Sequence, residues 1–232
     1  MARIHIAIEG LSAAGKTDVG SLLAKPPLVF KVNKGLPEDL RKVRFFEERV
    51  NDNPYKKDFY ESGMMEVYAL MSQIYYLQAR VVTGANIMRW DGGIAIEDRS
   101  IFGDATYEEN LYKMKKLSKK AHDIYCNFRK DITEAYKIRE PDGILMLDIS
   151  LKTCIKRLKE RKTGETLDFH YWGNLLKRYK EKFRSLEKRI PIEWVDANPD
   201  YFQDEQYMEH VAERLNTLIK RIIEKNEKMN KK

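Results

Sequence analysis

Eight residues near the amino terminus carry the most specific chemical signal in the chain: Gly10-Leu-Ser12-Ala13-Ala14-Gly15-Lys16-Thr17. The pattern is a glycine, four residues, then glycine, lysine and threonine. In such a loop, backbone amides and the start of the next helix point at phosphate oxygens. The lysine reaches the β- and γ-phosphates, and the threonine hydroxyl binds magnesium. Glycine is needed where a Cβ would block the turn or the phosphate. A second cluster, Asp98-Arg99-Ser100, closes the apolar run Ile94-Ala-Ile96. At the carboxyl end of a central strand it would face the phosphate loop, because open α/β sheets bind ligands there. A carboxylate in that place can hold magnesium, and an arginine can neutralise charge developing on a transferred phosphoryl group. The two clusters therefore imply phosphoryl transfer from ATP with Mg2+. Thr17 and Asp98 are the expected metal ligands, and Lys16, Asp98 and Arg99 the expected catalytic groups.

The elements that would position these residues alternate between strand and helix. Ile4 to Ile8, Leu28 to Val32, Ile94 to Ile96, Gly143 to Ile149 and Pro191 to Val195 read as five strands. A short helix follows the loop to about Leu23, before Pro26 and Pro27. Pro37-Glu38-Asp39 reads as a helix start, with the helix running to about Val50. Further helices are expected over 66–82, 104–116, 119–138, 151–161 and 167–188, and from 204 into the tail. This alternation predicts an α/β protein: a phosphate-loop NTPase-type three-layer fold, its parallel sheet covered by helices on both faces. No repeat or linker divides the chain, so one domain over 1–232 is expected.

Composition narrows the class. The 232 residues suffice for a sizeable core, and 43% are hydrophobic. No apolar run approaches the length of a membrane span, and a reducing, cytoplasmic setting is expected. Two cysteines, Cys126 and Cys154, make no disulfide framework and read as buried apolar residues. The four histidines, His5, His122, His170 and His210, are scattered with no metal-ligand spacing, so no zinc site is expected. The net charge of +7 suits a polyphosphate site as well as nucleic acid. No nucleic-acid module pattern accompanies it, and the basic stretch 220–232 reads as a solvated helix end.

From these motifs outward, the chain resembles the deoxynucleoside kinase family. Asp98-Arg99-Ser100 matches that family's acid-Arg-Ser motif, and Ile101-Phe-Gly103-Asp104 and Glu109-Asn-Leu-Tyr112 continue it. Upstream, Tyr68-Ala69 through Gln73, then Arg80, are similar to its nucleobase segment. Lys156-Arg157 through Arg161 resembles its arginine-rich lid, here about 157–166. Val195 through Asp200-Tyr201 resembles the segment that packs on adenine. The resemblance implies transfer of the ATP γ-phosphoryl group to the 5′-hydroxyl of a deoxynucleoside. It implies that Gln73 pairs with the base edge and that Arg80 and Asp104 form a charged pair beside it. Arg99 would contact the 5′-hydroxyl, and Arg157 and Arg161 would clamp the donor phosphates. Glu165 and Tyr60 are candidates for the sugar 3′-hydroxyl. Family members are usually dimers through a helix bundle, so a homodimer is expected. The polar pair at 80 and 104 favours deoxyadenosine, deoxyguanosine or deoxycytidine over thymidine.

One stretch departs from the family. Its Glu-Pro pair after the second strand, whose glutamate is usually read as the base, has no clear match. Aligning Pro37 would put Leu36 at the glutamate. Three readings stand: Glu38 serves, Asp98 doubles as base and metal ligand, or catalysis is impaired. Nucleoside monophosphate kinases such as thymidylate kinase are the nearest rival, although they usually carry Asp-Arg-Tyr where this chain has Ser100. A nucleotide-dependent switch has less support, since Asn33-Lys34-Gly35-Leu36 lacks the aspartate that reads guanine.

Overall fold

The computed structural model describes residues 3–48, 52–162, 164–200 and 204–230. Its elements, in chain order, are β1 (Ile4–Glu9), α1 (Lys16–Leu23), α2 (Leu28–Val32), β2 (Val43–Phe46), α3 (Lys56–Glu61), α4 (Glu66–Arg89), β3 (Ile94–Asp98), α5 (Ile101–Lys113), α6 (Lys119–Ala135), β4 (Gly143–Asp148), α7 (Leu151–Arg161), α8 (Phe169–Leu186), β5 (Ile192–Asp196) and α9 (Glu205–Asn230). A 3-10 turn spans Glu38–Leu40.

The five strands form one sheet in the order β2-β3-β1-β4-β5, and every pairing is parallel. Strands β1, β3 and β4 are buried almost throughout, as expected for central strands covered on both faces. Helices α1, α2 and α9 pack together on the sheet, while α4, α5, α6 and α8 form a second cluster. All carboxyl ends of a parallel sheet lie on one edge. The pairings Ile8↔Asp98 and Phe46↔Glu97 therefore bring the ends of β1, β3 and β2 side by side.

Two expectations about the second strand fail, for one linked reason. Leu28 to Val32 is helix α2, not a strand. Its apolar run buries Leu28 and Val32, four apart, and leaves Phe30 67% exposed. That is helical spacing, which a five-residue run cannot announce by itself. Asn216 of α9 closes this helix, donating from Nδ2 to Val32 O at 2.7 Å and Lys34 O at 3.0 Å. The strand comes later, at Val43–Phe46, where a helix was expected. The Pro37-Glu38-Asp39 signal was real but started only one 3-10 turn.

Asn216 is buried, and its amide satisfies carbonyls at the end of α2. Asn216→Ala should cost about 1–3 kcal/mol by leaving them unpaired, read as a lower denaturant midpoint. An unchanged midpoint would show that α9 does not hold α2 through this side chain.

Candidate active site

The chain leaves β1 through a tight loop. Gly10 has φ +147, and a Cβ there would lie 2.7 Å from Leu147 O, so only glycine fits. Gly15, at φ 89, ends the loop where α1 begins, and no side chain caps that helix. Its first amides are therefore available to an anion. Lys16 is buried, and its Nζ donates to Leu11 O at 3.0 Å. Burial, and then the charge of Arg99, push its ammonium down to about 8, against the pull of Asp98, Glu48 and Glu9.

Thr17 Oγ1 donates to Asp98 Oδ2 at 2.5 Å, joining the loop to the end of β3. The other oxygen, Asp98 Oδ1, is buried and has no hydrogen-bond partner among the described residues. Burial and the charge of Glu48 raise the Asp98 carboxyl above its ordinary range. An orphaned carboxylate oxygen beside a threonine hydroxyl is the donor set expected of a magnesium site.

Arg99 adopts φ +68, a strained conformation for a residue with a side chain. Several contacts hold it there. Its Nη1 donates to the Tyr179 hydroxyl at 2.6 Å, and its guanidinium lies 4.6 Å from the centroid of Tyr107. Tyr179 in turn donates to Glu9 Oε2 at 3.3 Å, while Glu9 Oε1 accepts from the Ser100 amide and hydroxyl at 2.7 and 2.6 Å. A Cβ on Gly103 would come within 2.8 Å of Glu9, Tyr179 and Arg99, so glycine is required for this approach. The Tyr107 hydroxyl also accepts from the Ser12 amide at 3.1 Å, linking α5 to the phosphate loop.

Glu48, just past β2, is the acid that sequence reasoning missed. Arg80 Nη2 donates to its Oε1 at 2.6 Å, and Arg99 Nε approaches its Oε2 at 3.4 Å. Burial raises its carboxyl, but Arg80, Arg99 and Lys16 together prevail and hold it below the ordinary range. Glu48 is therefore ionised near neutral pH. The expected base, Glu38, is elsewhere. It precedes β2, in the turn whose Asp39 pairs with Arg3 and whose Leu40 abuts Gly93, at the amino edge of the sheet. The four residues of β2 separate the two positions by about 13 Å. The element misread at 37–50 thus hid the acid at its end. An alternating Val-Arg-Phe-Phe run followed by two glutamates was the available signal.

A cavity of about 710 Å3 opens over this edge. Of the residues singled out in the sequence, Ser12, Ala13, Gly15, Lys16, Thr17, Tyr60, Gln73, Asp98, Arg99, Asp104, Arg157, Arg161, Glu165 and Asp200 line it. Gly10, Ala14 and Arg80 do not, and Tyr201 lies outside the described residues. Arg80 sits beneath the floor. It donates to Asp104 Oδ2 at 3.0 Å and to Asp98 O at 2.6 Å, so it braces acids rather than facing the cavity. Gln73 is 3% exposed, and no hydrogen bond to its amide occurs among the described residues. Ser72, Tyr76, Tyr107, Tyr171, Lys56 and Glu48 also line the cavity and were not anticipated. Glu165 pairs with Lys56 Nζ at 3.0 Å. Arg157 donates to Ala13 O, Ala197 O and Pro199 O at 3.3, 2.9 and 2.7 Å, tying α7 to the loop and to the turn after β5.

This geometry has relatives. A deoxyadenosine kinase of Dictyostelium discoideum is 30% identical over 81% of this chain and 70% of its own length. A deoxyguanosine kinase of Lactobacillus acidophilus is 25% identical over 94% of this chain and 91% of its own. The solved deoxyadenosine kinase of M. mycoides, with products dCMP and a flexible dCDP bound, superposes with a TM-score of 0.72 at 25% identity. The superposition covers 92% of this chain and all of that one. The family model described as deoxynucleoside kinase matches residues 6–220. The chain belongs to the deoxynucleoside kinase family, phosphotransferases that act on deoxynucleosides.

Proposed function

We propose that the cavity over the sheet's carboxyl edge takes ATP with Mg2+ at its loop end and a deoxynucleoside at its α4 end, and that Glu48 is the base. The observation that carries this reading is the convergence of Lys16, Thr17, Glu48, Asp98 and Arg99 on one cavity.

The amides of the loop and of α1, with Lys16, hold the donor phosphates. Thr17 and the unpartnered Asp98 Oδ1 fit a magnesium ion, which would neutralise phosphate charge when bound. Five buried carboxylates (Glu9, Glu48, Glu97, Asp98 and Asp104) surround three buried cations (Lys16, Arg80 and Arg99), so the site itself favours an added cation. Glu48 accepts the 5′-hydroxyl proton while Arg99 steadies the phosphoryl group in transit. Phosphoryl transfer leans on positioning and charge more than on proton removal, so a base of low pKa suffices. Arg161 closes on the phosphates from α7, and Asp200 borders the donor end. Tyr60 and Glu165 border the sugar.

Gln73 and Asp104 face the base. The Gln73 amide can satisfy thymine's O4 and N3–H as well as other base edges, so the preference rests on Asp104, whose carboxylate accepts from an exocyclic amine. That favours deoxyadenosine, deoxyguanosine or deoxycytidine over thymidine, and the names of the similar kinases agree with it. A homodimer is part of the same reading. Val82 of α4 and Ile124 and Phe128 of α6 are exposed on two helices that pack together. Both cysteines are free, which suits a cytoplasmic enzyme, and no helix among the described residues is long and apolar enough to cross a membrane.

Three measurements test these assignments. With ATP and Mg2+, Glu48→Gln should lower kcat by about 100-fold or more, whereas Glu38→Gln should leave it within about twofold, since Glu38 lies outside the cavity. Equal losses in the two variants, or none in Glu48→Gln, would reject Glu48 as base. Across the four deoxynucleosides, kcat/KM should be lowest for thymidine, and a maximum for thymidine contradicts the assignment of Asp104. Light scattering on the eluting protein should give twice the chain mass, falling to one chain in Val82→Glu/Phe128→Glu. A wild-type monomer would rule out the dimer.

A further inference from the structure

A second constellation lies away from the cavity, at the seam of α5 and α6. His122 and Cys126 are four residues apart on α6, one above the other on the same helix face. Glu108 of α5, only 2% exposed, reaches the same point. Its Oε1 is 2.8 Å from His122 Nδ1, and Cys126 Sγ is 3.8 and 3.7 Å from the two ring nitrogens. All three donor atoms lie within 4.8 Å of one another. The His122 ring is itself fixed, stacked on Tyr112 at 4.1 Å with 6° between planes.

We propose that Glu108, His122 and Cys126 form a binding site for a thiophilic divalent cation of the zinc type. Zinc bonds of about 2.0–2.3 Å in tetrahedral array place donor atoms about 3.3–3.6 Å apart. The sulfur, 3.8 and 3.7 Å from the two ring nitrogens, must swing toward the one that binds the ion, and the oxygen–nitrogen pair must open by about 0.5 Å to admit it. His122 and Cys126 are only partly buried, and water would complete the coordination. One sulfur, one imidazole and one carboxylate select zinc, cobalt or copper over magnesium and calcium, which prefer all-oxygen sets. This cation is therefore distinct from the one that serves the phosphates.

Charges nearby cut both ways. Asp123 and Glu109 favour a cation, and Arg129 opposes it. The ion binds thiolate, so it must displace the proton from sulfur. None of the three side chains lines the substrate cavity. The ion would clip α6 to α5, the helix that begins directly after Asp98-Arg99-Ser100 and carries Asp104 and Tyr107. Its effect would be on rigidity rather than on chemistry.

Titration of the full chain with Co2+ tests the site, because a thiolate bound to Co2+ gives a near-ultraviolet charge-transfer band. One equivalent should saturate the band, and Zn2+ should abolish it. Cys126→Ser should remove it, and Glu108→Gln should weaken the apparent affinity about tenfold or more. His122→Gln gives an independent reading should Cys126→Ser fold poorly. Zn2+ should raise the Tm of the wild type and not of these variants, while turnover without added Zn2+ stays unchanged in all of them. Absence of a thiolate band, or a band that survives Cys126→Ser, overturns the proposal. So does a Zn2+-dependent rise in Tm that is equal in the wild type and every variant.

Discussion

Everything at the carboxyl edge depends on one buried cation, Arg80. From the middle of α4 it reaches Glu48, Asp104 and the carbonyl of Asp98 at once. Those groups come from the loop after β2, from α5 and from the end of β3. Burial disfavours its charge, yet Asp104, Glu48 and Glu97 outweigh that and keep it firmly protonated. A buried ion cluster of this kind adds little net stability compared with an apolar core, but removing one member typically costs about 3–5 kcal/mol. Its value is geometric. Without Arg80 the acids around the cavity would repel one another, and Glu48 would have less reason to stay ionised in a dry place.

The same constraint explains the character of the carboxylates. Glu9, Asp98 and Asp104 are all raised by burial, whereas Glu48 alone is lowered. All four are buried in one neighbourhood, so the difference lies in the company each keeps. Glu48 is shared by Arg80, Arg99 and Lys16, the three cations of the cluster. The acids therefore separate into one held as a carboxylate by surrounding cations and others whose charge calls for an added cation. This division follows from where β2 ends relative to β3, since Phe46 pairs with Glu97.

Much of this was legible in the residues themselves. The phosphate loop carries its own spacing. Strands β1, β3 and β4 are continuous apolar runs whose carboxyl ends could be matched before any coordinates. What failed was local and short. Leu28–Val32 and Val43–Phe46 are five and four residues long, too brief for periodicity to separate helix from strand. Tertiary cover from α9 decided the first, and pairing with β3 decided the second. Glu48 was lost with its strand. Tyr107 and Tyr179 were illegible for another reason: as residues of helical faces they look like core, and only the fold aims their hydroxyls at Ser12 and Arg99. His122 and Cys126 share a face of α6, but the glutamate that meets them, Glu108, sits on a different helix, so no single stretch of sequence displays the three together.

Arg99 shows how such side chains come to matter. Its left-handed backbone, at φ +68, disfavours it by about 1–3 kcal/mol, so neighbouring contacts must hold it. They come from three separate parts of the chain: Glu48 after β2, Tyr107 of α5, and Tyr179 of α8, which is itself bonded to Glu9 at the end of β1. Gly103 contributes by having no side chain, since a Cβ would displace Glu9, Tyr179 and Arg99 together. Arg99 is thus held by the acid after β2 and by helices α5 and α8. One hydroxyl joins α8 to both the guanidinium and Glu9, so Tyr179 shapes the site although it is not among the residues lining the cavity.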